Sequence, residues 1–146
     1  MPLIFRIAAV GALGIVLAGP ALGDCSVELS PVTFGVIDVT SRSRGTGEVV
    51  VRCDTAGSFA VAISNGRSGK GQRQMIGPGG ATLDYRLFSD SGRSVPWGDG
   101  LAEGQPVTGS SDGTNPARLT IYGAVPPQSG VTPGEYVDSV AVTLTF

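Results

Sequence analysis

The strictest hydrophobic pattern in the chain lies at its end. From Ser139 to Phe146 apolar and small polar residues alternate without a break. Val140, Val142, Leu144 and Phe146 fall on one face of an extended chain, and Ser139, Ala141, Thr143 and Thr145 on the other. A chain end frays in water unless a neighbour holds it, so this pattern predicts a strand that needs cover from elsewhere. Shorter alternations recur upstream. "CSVEL" sets Cys25, Val27 and Leu29 on one face, a second extended piece is expected around Phe34 to Ile37, and "GEVVVRC" aligns Val49, Val51 and Cys53. "SFAVAIS" aligns Phe59, Val61 and Ile63, and "ATLDYRLF" puts Leu83, Tyr85 and Leu87 inward with Asp84 and Arg86 outward.

Turn chemistry separates these runs. "NGRSGKGQ", headed by Asn65 and Gly66, reads as a turn and "GRSGKG" as a hairpin tip. Residues 89–116, rich in Gly, Ser, Asp and Pro, read as a long loop with a short strand near Pro106 to Thr108. "ARLTIYG" and the terminal segment bring the count to about seven strands, with no long stretch of helical period. The fold class is therefore all-β, an antiparallel sandwich.

The first 23 residues differ from the rest. One positive charge at Arg6, an apolar stretch from about Ile7 to Gly19, and small residues at Ala21 and Gly23 form the layout of a secretory signal peptide. The apolar stretch falls short of a membrane span, which needs about 20 residues. Cleavage after Gly23 divides the chain into a leader, 1–23, and one domain, 24–146, with no membrane span in the mature chain. Asp24 directly before Cys25 argues against lipid attachment at that cysteine. Without Arg6 the chain holds nine Lys and Arg against 12 Asp and Glu, with no basic stripe, so nucleic acid is not an expected partner. Cys25 and Cys53 both follow the cut, where an oxidising compartment would join them. The bridge would add roughly 3 to 4 kcal/mol in the chain-entropy model. Two buried free thiols are the alternative.

Candidate chemistry is sparse. The chain has no histidine, which removes the commonest general base and metal ligand, and bridged cysteines leave no thiol nucleophile. No enzyme activity, catalytic residue, metal site or cofactor is expected. Asp90, Asp99 and Asp112 could in principle pair for glycoside chemistry or hold calcium, yet each precedes a glycine by one or two residues, which favours turn formation. "GRSGKG" lacks the spacer, the hydroxyl residue and the helix of a phosphate-binding loop. Trp97 in "WGDG" could stack on a sugar, although a loop anchor is the commoner role.

Taken in order, "FGVID", "GEVVVRC", "RQMIGPGGATLDYRLFSD", "WGDG" and "LTIYGAVPPQSGVTPGEYVDSVAVTLTF" resemble the spore coat protein U domain, shared with subunits of archaic chaperone-usher pili. The resemblance spans nearly the whole mature chain. It implies an immunoglobulin-like pilin sandwich that lacks its last strand, leaving an apolar groove beside the C-terminal strand. A periplasmic chaperone would lend a strand to that groove, and at the outer-membrane usher a neighbouring pilin subunit would replace it. The principle is β-augmentation: main-chain hydrogen bonds give affinity and alternating side chains fill pockets. By this resemblance Val140, Val142, Leu144 and Phe146 line the groove, with Val27 and Leu29 opposite.

One departure stands out. Polymerising subunits carry an alternating extension ahead of the first cysteine, whereas a cut after Gly23 leaves only Asp24 there. Such a chain accepts a strand but has none to give, so the resemblance implies a secreted structural subunit at the tip or cap of a surface pilus. The loop around Trp97 is then the expected surface contact. The alternative is a self-sufficient secreted coat protein or glycan-binding sandwich, on which the fold alone does not decide.

Overall fold

The computed structural model describes residues 2–4, 6–9, 24–68, 71–101 and 103–146. The cut after Gly23, most of the leader's apolar stretch and the Gly69–Lys70 part of the turn lie outside them. Eleven strands are described: β1 Pro2–Ile4, β2 Arg6–Ala9, β3 Cys25–Val36, β4 Ser43–Cys53, β5 Ala56–Ile63, β6 Gln74–Ile76, β7 Thr82–Asp84, β8 Arg86–Phe88, β9 Val107–Asp112, β10 Ala117–Val125 and β11 Ser139–Thr145. They form a five-stranded sheet in the order β1-β3-β4-β10-β8, a four-stranded sheet in the order β2-β11-β5-β9, and a small β6-β7 pair. The architecture is all-β and sandwich-like. Val49, Val51 and Ile121 of the first sheet share a buried core with Phe59, Val61, Ile63, Val140, Val142 and Leu144 of the second.

The two extended pieces expected between Cys25 and Ile37 are one strand. Across β3 and β4, Ser30 pairs with Glu48 and Thr33 with Thr46, so three steps on β3 face two on β4. This bulge sits at Pro31, which has no N–H for the ladder. Its extra residue keeps Val32 and Phe34 on the inward face already taken by Val27 and Leu29, and a period-two reading breaks there. Gly47 makes room for it, since a Cβ at that position would stand 2.7 Å from the Ser30 carbonyl oxygen.

Three other expectations change. The "GRSGKG" segment is not the tip of a hairpin, because β5 pairs with β9 and β11 while β6 pairs with β7. "ATLDYRLF" divides at Tyr85, with β7 joining β6 and β8 joining β10. The strand expected near Thr108 runs on to Asp112 as a full partner of β5. The residues ahead of it are stitched rather than loose: Trp97 N–H donates to Leu87 O at 3.0 Å and Gly98 N–H to Gln105 O at 3.1 Å.

The candidate functional site

Two sheet edges meet on one flank of the sandwich. The β11 edge is built by its alternation, which buries Val140, Val142 and Leu144 against the core. On its inner side β11 is tied to β5 and to Ser64 beyond it: the Ser64 hydroxyl accepts the Ala141 N–H at 2.8 Å, and Ser64 N–H donates to Ala141 O at 2.9 Å. Successive amides of a strand point to opposite edges, so the Val140 and Val142 amides face outward. There they meet β2, which runs parallel to β11 in the register Arg6–Ser139, Ile7–Val140, Ala8–Ala141 and Ala9–Val142.

The β3 edge faces it. Residues 25–30 pair with β4 on one side, and β1 pairs with β3 only farther along, at Thr33 to Val36. Cys25, Val27 and Leu29 are half-buried and pack on the core cluster from this edge. β2 also comes close to β3, so residues 2–4 and 6–9 lie along the seam between the sheets. The seam thus brings together Val140, Val142, Leu144, Val27 and Leu29. Phe146 stands apart, past the end of β11 and 48% exposed.

Cys25 and Cys53 are disulfide-bonded, with an S–S distance of 2.01 Å. They are direct partners across β3 and β4, so the bridge fastens the seam strand to the sheet centre.

Trp97 corrects the expectation of a surface contact. Its ring is 1% exposed and its indole N–H donates to Val61 O at 2.8 Å, because a large ring with one donor is best placed where the apolar body is buried and the N–H finds a carbonyl. The exposed apolar side chains of that loop are Val95 and Leu101.

Beside Trp97 lies a polar cluster with no signature in the sequence. Arg73 is completely buried, its Nε donating to Ser64 O at 3.1 Å and its Nη2 to Ile63 O at 3.0 Å and Trp97 O at 2.8 Å. Burial pushes its pKa down from the usual arginine value. Asp138, also buried, accepts the Tyr85 hydroxyl at 2.5 Å and the Arg67 N–H at 3.0 Å. Desolvation, reinforced by the Asp138 charge, raises the Tyr85 pKa far above its ordinary value. Gly66, at φ +80°, brings the backbone so close to Asp138 that a Cβ would stand 2.0 Å from Oδ2. The Asn65–Gly66 signal therefore marks a lid over a buried carboxylate.

The loop carboxylates serve turns. Asp90 accepts the Ser94 hydroxyl at 2.6 Å and the Val95 N–H at 2.8 Å, and Asp112 accepts the Asn115 N–H at 2.7 Å. These bonds lower both pKa values, through the Ser94 hydroxyl first for Asp90 and the Asn115 N–H first for Asp112. Asp99 accepts the Leu101 N–H at 3.0 Å. Among the described residues no three potential ligands gather as a metal site, and no helix is long and apolar enough to cross a membrane.

Comparison with known proteins finds similarity at the level of family, sequence and fold. The model of the Spore Coat Protein U domain matches residues 16–143. Protein U of Myxococcus xanthus is 28% identical over 110 residues, covering 70% of this chain and 60% of that protein. A chain in the crystal structure of the CsuC–CsuE chaperone–tip adhesion subunit pre-assembly complex, from archaic chaperone-usher Csu pili of Acinetobacter baumannii, superposes with a TM-score of 0.67 at 22% identity. That superposition covers 86% of this chain and 40% of the other, so the shared fold is part of a longer molecule.

Proposed function

The chain belongs to the Spore Coat Protein U domain family, and from that membership and the seam between β3 and β11 we propose that it is a secreted subunit of an archaic chaperone-usher pilus. The observation that carries the proposal is the outward flank of β11. Its Val140 and Val142 amides are met by a short strand from the leader rather than by a strand of the 24–146 domain. Once the leader is removed after Gly23, that flank lies open beside the half-buried Val27 and Leu29. An open strand edge over an apolar cleft is an aggregation hazard, and a periplasmic chaperone answers it by lending a strand. At the outer-membrane usher a neighbouring pilin subunit exchanges for the chaperone, with main-chain bonds to β11 and side chains in the cleft. With only Asp24 ahead of the disulfide, the mature chain has no strand to donate, which favours the tip or cap of the fibre. Phe146, past the end of β11 and 48% exposed, offers the chaperone an apolar handhold.

The test is isolation from the periplasm with a tag inserted at the exposed Ser129–Gly130 turn and the C-terminus free. The expected result is a one-to-one complex with an immunoglobulin-like chaperone. A stable, unaccompanied monomer would favour the second reading, a self-sufficient coat protein.

A further inference from the structure

We infer that Ser64 and Asp138 are positioning residues for strand uptake: their side chains hold the leading half of β11, which the β5 ladder does not reach. The inference rests on the strand-acceptor reading above and names what sets that edge in place. The register between β11 and β5 runs from Val142–Ile63 to Thr145–Ala60. Ser139, Val140 and Ala141 therefore begin the strand with no residue of β5 opposite them. Yet the Val140 amide is one of the two that an incoming strand would bond.

The next rung shows how that half is held. Continuing the register sets Ala141 opposite Ser64, a pair that in an ordinary antiparallel ladder exchanges two main-chain bonds. One is present, from Ser64 N–H to Ala141 O at 2.9 Å. The other is replaced. The Ser64 carbonyl is turned to the buried guanidinium of Arg73, accepting its Nε–H at 3.1 Å, and the Ser64 hydroxyl takes the Ala141 N–H at 2.8 Å in its stead. An alanine at position 64 leaves that N–H without its acceptor.

Asp138 does the same for the entry of the strand. Its Oδ1 accepts the Arg67 N–H at 3.0 Å and its Oδ2 the Tyr85 hydroxyl at 2.5 Å, so the residue directly before β11 is fixed to two segments distant in sequence. The exposed Arg67 guanidinium adds a bond from Nη2 to the Ser139 hydroxyl at 3.2 Å. These groups act through β11. With the inward amide of Ala141 pinned, the outward amides of Val140 and Val142 are presented at the fixed spacing a second strand requires. A leading half free to swing would offer one such amide in place of two.

The experiment takes the complex with the chaperone recovered from the periplasm, for the native chain, Ser64→Ala, Ser64→Thr and Arg67→Ala, and reads amide hydrogen exchange at Val140 and Val142. In Ser64→Ala the Val140 amide is expected to exchange about tenfold faster, the worth of one hydrogen bond, with Val142 within about twofold of native. Ser64→Thr keeps the hydroxyl and should restore the native rate. A serine that served stability alone would speed both valines together, and that result, or no change at either, would overturn the inference. If Ser64→Ala fails to reach the periplasm, Arg67→Ala carries the test, since it removes an exposed side chain and keeps the N–H that Asp138 accepts. It should raise the Val140 rate about threefold and leave Val142 unchanged, and a native rate at Val140 would overturn the inference. The two failures are distinct. A native chain recovered without a chaperone would remove the acceptor reading together with this inference, whereas a native complex indifferent to the substitutions would remove the inference alone.

Discussion

The two flanks of the sandwich are closed by different means. On the β5–β9 flank the chain supplies its own closure: Trp97 fills the core, and Arg73 gathers the carbonyls of Ile63, Ser64 and Trp97. On the β3–β11 flank the apolar side chains are equally well ordered in pattern, but the strand that lies on the β11 edge is residues 6–9, from ahead of the first cysteine. Covering side chains and satisfying backbone amides are separate tasks. At Val61, Ile63 and Ser64 the first flank does both, through Arg73, Trp97 and Gly98. The second buries Val140, Val142 and Leu144 yet leaves the strand edge to another segment.

Substitutions on the two flanks should therefore fail differently. Leu144→Asp places an unpaired charge in the core and on the acceptor strand together, and it is expected to abolish both partner capture and secretion, read as loss of the protein from the periplasm. Removing the Cys25–Cys53 bridge by a paired change to Ala should cost about 3 to 4 kcal/mol in denaturant unfolding and weaken strand uptake as well, because it loosens β3. Arg73→Leu leaves three carbonyls on the closed flank unpaired. It is expected to lower stability by roughly 2 to 3 kcal/mol with strand uptake by the folded fraction unchanged, which calorimetry and peptide titration would separate.

Acid and alkali sharpen the contrast further. The buried Tyr85 holds its proton above the ordinary tyrosine value, so the stability this contributes is complete below about pH 10 and is lost as pH climbs beyond it. Melting curves from pH 8 to 11 should fall more steeply for the native protein than for Tyr85→Phe. Asp90 and Asp112 are lowered instead, and their smaller contribution is present above the ordinary carboxylate range and lost as pH falls through it. Asp90→Asn should flatten the melting curve slightly between pH 5 and 2.

The buried face of β11 was legible in the sequence because the strand alternates without interruption. So was the disulfide, from two cysteines in a segment read as exported. The bulge at Pro31 was not, because one inserted residue shifts the period and imitates a strand end. Trp97 and Arg73 were not, for another reason. Burial of a lone aromatic or a lone cation depends on carbonyls distant in sequence: Val61 for the indole, and Ile63 and Trp97 for the guanidinium. No local pattern encodes such partners. The strand at residues 6–9 was hidden by its context, since an apolar run without a period of two gives no sign of pairing.

The most direct test of the open flank is amide exchange across the chain cut after Gly23, alone and bound to the partner recovered from the periplasm. Val140 and Val142 are expected to exchange quickly in the chain alone and at least tenfold more slowly in the complex, while Ile63 and Trp97 stay slow in both. Uniformly slow exchange at all four amides without any partner would contradict it, since the sandwich would then be closed by its own residues.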